Sequence, residues 1–103
     1  MSDPFGLAPD VRSQIHDVLS RHPEIRRTMI YGSRAQSRYR PGSDIDLVIE
    51  GEKVSSHLLS QLFVELDDLM LPYTFDLSDF SAIENETLRQ TIRQSGQVFY
   101  ERK

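Results

Sequence analysis

The chain has 103 residues, with 12 basic against 16 acidic side chains and a net charge of −4. That length suits one domain and leaves no room for a second, substrate-binding one, and the acidic balance excludes a general DNA or RNA coat, which needs a broad basic footprint. Cysteine is absent, which excludes disulfide staples, cysteine nucleophiles and thiolate zinc sites together.

Residues 1–7 read as a flexible leader, and residues 1–103 as a single domain. The opening Met1-Ser2-Asp3-Pro4-Phe5-Gly6 lacks the basic start and apolar stretch of a signal peptide. No apolar run approaches the ~20 residues of a membrane span, and an uncrosslinked domain of this size fits the cytoplasm best. Val11, Ile15, Val18 and Leu19 recur at helical spacing, which predicts a helix from Pro9 to Arg21, closed by Pro23. Thr28-Met29-Ile30-Tyr31 reads as a short strand stopped by Gly32. Ser33 to Ser37 suits a short helical turn, and Tyr39-Arg40-Pro41-Gly42-Ser43 carries turn chemistry. Asp44 to Glu50 alternates and is rich in β-branched residues, so it reads as a second strand.

Ser55 or Ser56 can cap the next helix, on which Leu58, Leu59, Leu62, Phe63, Leu66, Leu69 and Met70 repeat at core-facing spacing until Pro72. Tyr73 to Leu77 is a third strand. Ser81 with Glu84 matches a capping box for a last helix carrying Leu88 and Ile92. Val98-Phe99-Tyr100 is an apolar tail suited to a short extra strand. The order α-β-α-β-α-β-α implies an α/β (α+β) domain, a short mixed sheet covered by helices. The 12-residue connection between the first two strands allows either pairing direction.

The chemistry concentrates at strand ends. Gly32-Ser33 follows the first strand directly, and glycine there lets backbone approach a ligand while free N–H groups suit a phosphate. Ten residues, Arg34 to Ser43, then lead to Asp44-Ile45-Asp46. Period two puts Asp44 and Asp46 on one strand face and Ile45, Leu47 and Ile49 on the other. Two carboxylates so placed repel unless a cation lies between them, and Mg²⁺ takes carboxylate and phosphate oxygens together. Asp76, between Phe75 and Leu77, points to the same side if its strand is a neighbour. Asp79 is its rival but lies beyond the predicted strand. Arg34, Arg38 and Arg40 form a basic loop, read either as solvated or as touching a triphosphate or a partner. His16, His22 and His57 show no metal spacing and read as surface or cap residues. Asp67-Asp68 reads as a solvated helix end.

Gly32-Ser33, ten residues and Asp44-x-Asp46 resemble the signature of DNA polymerase beta-like nucleotidyltransferases. The run Tyr31-Gly32-Ser33-Arg34-Ala35, then Arg40-Pro41-Gly42-Ser43-Asp44-Ile45-Asp46-Leu47, is similar to the minimal nucleotidyltransferase (MNT) branch. The resemblance spans Ala8 to Tyr100. It implies that Gly32 and Ser33, with Arg34 and Ser43 beside them, bind the phosphates of ATP, and that Asp44, Asp46 and Asp76 are catalytic and hold two Mg²⁺ ions. It implies a helical HEPN-like partner, often a toxin, with the MNT protein as antitoxin transferring AMP to a partner tyrosine. Neither direct nucleic-acid binding nor a membrane is expected. Two other functions stay open: a non-catalytic module that occludes such a partner, and nucleotidyl transfer to a small molecule such as an aminoglycoside. No residue reads as a base selector, so the nucleotide rests on the resemblance alone.

Overall fold

The computed structural model describes residues 7–32 and 44–102. Ser33, Arg34, Arg38, Arg40 and Ser43, the short helical turn and the Pro41-Gly42 turn lie outside the described residues, as do residues 1–6 of the leader. Leu7, assigned to that leader, is instead buried in the core, because it packs with the apolar side of the first helix.

Helix α1 spans Pro9–Ser20, with proline in its first turn, where a missing N–H costs nothing. Strand β1 spans Ile25–Tyr31, three residues longer at its start than the sequence suggests. Strand β2 spans Ile45–Gly51. Helix α2 spans Ser56–Asp67, and the Ser55 hydroxyl accepts from the Leu58 N–H at 3.2 Å as its N-cap. Strand β3 spans Phe75–Asp79, so Asp79 closes the strand that was expected to end before it. A 3₁₀ turn follows at Phe80–Ala82, then helix α3 at Glu86–Ser95 and strand β4 at Gln97–Glu101. The capping box expected at Ser81 and Glu84 does not form. Asp79 accepts from the Ser81 N–H to cap the 3₁₀ turn, and Asn85 accepts from the Leu88 N–H to cap α3. The apolar tail is a strand, as its composition suggests.

The sheet order is β3-β2-β1-β4. Strand β1 runs antiparallel to both β2 and β4, and β2 runs parallel to β3, so the open question of pairing direction resolves as antiparallel. One face carries Ile30, Ile45, Leu47, Ile49 and Phe99, buried against Ile15 and Leu19 of α1 and Leu58, Leu62 and Leu66 of α2. Each such side chain contributes about 1.5–3 kcal/mol by leaving water. Phe63 and Met70, placed in the same apolar stripe by spacing, are 51% and 87% exposed. Phe63 turns off the core arc, and Met70 sits past the helix end in a left-handed conformation (φ 57°). The opposite sheet face carries Arg27, Met29 and Tyr31 of β1 against Glu50, Val48 and Asp46 of β2. Helix α3 packs toward β1 and buries Ile92. Its topology delivers the starts of β2 and β3 and the end of β1 to one edge.

Candidate active site

At that edge three strands contribute one row across the sheet. The register pairs Tyr31 of β1 with Asp46 of β2, and Asp46 with Asp76 of β3. Paired residues of neighbouring strands point to the same face, so the side chains of Tyr31, Asp46 and Asp76 share it. Asp44 lies two residues before Asp46, and period two returns it to that face. The Thr74 hydroxyl donates to Asp44 Oδ1, and the Ile45 N–H donates to the Thr74 carbonyl at 2.9 Å. The start of β2 is thereby fastened to the approach of β3.

Gly32 sits against this row with φ +80°. A Cβ built there would lie 2.7 Å from Asp46 Oδ2, closer than a carbon and an oxygen can stand. The residue is therefore required twice, for its left-handed backbone and for the closeness of its backbone to the carboxylate.

Asp46 is half-buried while Asp44 and Asp76 are exposed. Burial pushes the Asp46 carboxyl above its usual range, and the neighbouring charges of Asp76 and Asp44 push it further the same way. The Tyr31 hydroxyl is also raised, first by burial, then by the charges of Asp76 and Asp46, while a hydrogen bond with Ser78 pulls in the other direction. Tyr31 faces the site, although the sequence places it only in a strand and in the family-like run and gives it no role there. Its signal was the strand period, usable only once the antiparallel register set it opposite Asp46.

Among the described residues no group of three or more His, Cys, Asp or Glu side chains stands ready to hold a metal ion. The donor chemistry nonetheless fits one: three oxygen-only side chains share one face, and Asp46, held above its normal pKa first by burial and then by the charges of Asp76 and Asp44, stands where a hard divalent cation would offset the negative charge. The histidines play no part. His22, expected at the surface, is buried with its Nε2 3.0 Å from Glu65 Oε1, because the turn after α1 folds inward onto α2. His16 packs edge-on to Phe99 and Tyr100. Asp67 and Asp68 are exposed at the end of α2, as expected.

The arrangement thus sets a glycine turn after one strand beside carboxylates on the next two. Residues 13–103 match the model of the polymerase beta nucleotidyltransferase domain, and the chain belongs to that family. No curated protein matches it. Among solved structures, it is similar to a chain of a toxin–antitoxin complex with AMP-PNP, at TM-score 0.73 and 19% identity over 89% of this chain and 74% of that one. It is similar to a chain of the MntA–HepT toxin–antitoxin complex, at TM-score 0.68 and 16% identity over 92% and 74%. It is also similar to a chain from a tri-AMPylated Shewanella oneidensis HEPN toxin in complex with its MNT antitoxin, at TM-score 0.67 and 17% identity over 89% and 71%. At these identities the likeness is one of fold. No helix among the described residues is long and apolar enough to cross a membrane.

Proposed function

We propose that this chain is a Mg²⁺-dependent nucleotidyltransferase that moves AMP from ATP onto a hydroxyl, a tyrosine of a HEPN-like helical partner, and acts as that partner's antitoxin. The observation that carries the reading is the meeting of Asp44, Asp46 and Asp76 on one sheet face beside Gly32 in a chain of this family. The partner and the nucleotide are supported by the fold neighbours, one solved with AMP-PNP and another with an AMPylated HEPN toxin.

In this reading Gly32 and Ser33 would bind the β- and γ-phosphates, with Arg34 supplying a positive charge and Ser43 a hydroxyl for the same triphosphate. Asp44, Asp46 and Asp76 would hold the Mg²⁺ ions. When bound, Mg²⁺ neutralises the triphosphate and stabilises the entering and leaving oxygens. Asp76 would act as the base that takes the proton of the acceptor hydroxyl. The acceptor oxygen bonds to the α-phosphorus, the bond from that phosphorus to the bridging oxygen breaks, and pyrophosphate leaves in line. The residues position and neutralise, and none forms a covalent intermediate.

The test is label transfer. The purified chain and its Asp46→Asn variant are incubated with α-labelled ATP and Mg²⁺ in lysate of the source cell, and proteins are separated from small molecules. A labelled protein band that requires Asp46 is the expected result. Label confined to a small molecule, or label indifferent to Asp46, would overturn it. An Asp44→Asn, Asp46→Asn double variant that still neutralises the partner would instead favour occlusion without catalysis.

A further inference from the structure

Among the described residues strand β3 is an edge, with β2 on one side of it and no strand on the other. The Ile45 N–H donates to the Thr74 carbonyl, so alternation turns the backbone groups of Thr74, Asp76 and Ser78 toward β2 and those of Phe75 and Leu77 outward. Such an outward row is a template for another strand, and proteins ordinarily blunt it with lysine, proline or a bulge. Strand β3, Phe-Asp-Leu-Ser-Asp, contains no lysine or proline, and its register with β2 runs unbroken. Its apolar side is unfinished as well. Phe75 and Leu77 pack against the core but stay partly exposed. Helix α2 packs on β3. Glu65 of α2 turns toward the end of α1, where it meets His22. Phe63, two residues away and so roughly 200° around the helix, turns to the opposite flank, on the β3 side, and is 51% exposed. Charge singles out the same region. Residues 54–88, from α2 through β3 to the first turn of α3, hold seven carboxylates and no lysine or arginine, in a chain whose net charge is only −4.

We propose that this edge takes an extended, basic segment of the partner as a fifth strand, and that the segment carries the acceptor hydroxyl. Main-chain hydrogen bonds to Phe75 and Leu77 supply the attachment, and alternate side chains supply the specificity. The row Tyr31–Asp46–Asp76 already crosses three strands in register, and a residue paired with Asp76 on the added strand is its fourth member. Its side chain stands on the carboxylate face with its Cβ about 5 Å from that of Asp76, where an acceptor hydroxyl must arrive to give up its proton. The residues on either side of it turn to the other face, against Phe75, Leu77 and Phe63, and are apolar. Lysine or arginine at the ends of the segment answers Asp67, Asp68 and Asp79. A second copy of this chain does not suit the edge, because two faces so rich in carboxylates repel. That the segment carries an acceptor rests on the transfer reading above; that the edge binds a basic strand does not.

Two experiments test these apart. The first follows residue-resolved amide exchange of the chain with synthetic peptides in which valine alternates around one tyrosine, ended by lysines or by glutamates. In the free chain the Phe75 and Leu77 amides should exchange faster than those of Asp76 and Ser78. The lysine-ended peptide should slow Phe75 and Leu77 several-fold, and the glutamate-ended peptide should not. No slowing at those two amides, or equal slowing by both peptides, would overturn the basic-strand site whatever reaction the chain performs. The second is the label-transfer assay in lysate with Phe63→Lys and with the double variant Asp67→Lys, Asp68→Lys, at exposed positions outside the carboxylate row. Each should cut protein labelling by about ten-fold or more, the scale of losing an interface anchor, while MgATP binding stays at wild type. Wild-type labelling in Phe63→Lys would overturn the acceptor role of the edge. If wild type itself labels no protein while the lysine-ended peptide protects Phe75 and Leu77, the strand site stands and the transfer reading fails.

Discussion

At the end of the sheet where β2 begins, the described charged neighbours of Asp46 are two more carboxylates, and its pKa is driven up. At the end where β2 finishes, the same two strands place Arg27 opposite Glu50, and the guanidinium donates from Nε and Nη2 to both carboxylate oxygens at 3.0 Å. The neighbouring turn after α1 is equally well satisfied. Arg102 donates to the carbonyls of Ser20 and His22 at 3.0 Å and of Ile25 at 3.2 Å, and His22 meets Glu65. One end of a single sheet is thus arranged for stability and the other holds like charges together. Like charges kept together at the expense of stability are what a site that receives a cation requires.

The largest expected effect comes from breaking the strained end. Asp46→Asn should lower nucleotidyl transfer by about 10³-fold or more, the scale of losing a principal electrostatic group. The same change should make the metal-free protein more stable, not less. Because the folded-state pKa of Asp46 is raised, folding gains its contribution fully below the ordinary carboxylate range and loses it as pH rises through the raised value. At neutral pH the ionised Asp46 is therefore a net cost that asparagine removes. A melting temperature for Asp46→Asn at or below wild type at pH 7, without added Mg²⁺, would contradict this. Lowering the pH toward 5 should narrow the gap between the two proteins.

Gly32→Ala strikes the same end through the backbone. A left-handed conformation costs a non-glycine residue about 1–2 kcal/mol, and the added Cβ would meet the Asp46 carboxylate. Stability should fall by at least that amount in denaturant titration, together with transfer. Combining it with Asp46→Asn should recover only what Asp46→Asn gains alone, because asparagine has the same shape and the added Cβ meets it as it meets the carboxylate. A recovery larger than that would mean that the methyl conflicts with the charge of Asp46 and not with its shape.

Much of this end was legible in the sequence. Gly32 is placed by the end of the first strand, the shared face of Asp44 and Asp46 by the strand period, and Asp76 by the alternation of Phe75 and Leu77 once its strand is a neighbour. What could not be read was anything decided across strands. The direction of β1 against β2 sets Tyr31 beside Asp46, and a 12-residue connection allows either direction. His22 looked like a surface residue because the elements that bury it, the α2 helix at Glu65 and the strap of Arg102, lie far along the chain. Asn85 displaced Ser81 as the cap of α3 because Asp79 takes the Ser81 N–H first. Local capping signals compete, and tertiary geometry chooses among them.

Arg102→Ala tests the quiet end. The guanidinium satisfies three carbonyls near the end of α1 and the start of β1, and hydrogen bonds to a charged donor are worth about 1.5–3 kcal/mol where they are shielded. Arg102 is exposed, so a loss near the lower figure is expected, read as a shift of the unfolding midpoint. Transfer should be unaffected at temperatures where the variant is folded. A loss of transfer without loss of stability would mean that the two ends are coupled.

The smallest effect sharpens the contrast most. Glu50→Gln removes the acidic half of a partly exposed ion pair, with Arg27 and Glu50 side chains 40% and 21% accessible, and such pairs contribute about 0–1 kcal/mol. Salt tells the two ends apart where size does not. Screening weakens the attraction between Arg27 and Glu50 and weakens the repulsion among Asp44, Asp46 and Asp76. Raising sodium chloride should therefore close the stability difference between wild type and Glu50→Gln from one side, with wild type losing ground. It should close the difference between wild type and Asp46→Asn from the other, with wild type gaining. Salt responses of the same sign in the two comparisons would mean that the charge at the two ends is not arranged in opposite senses.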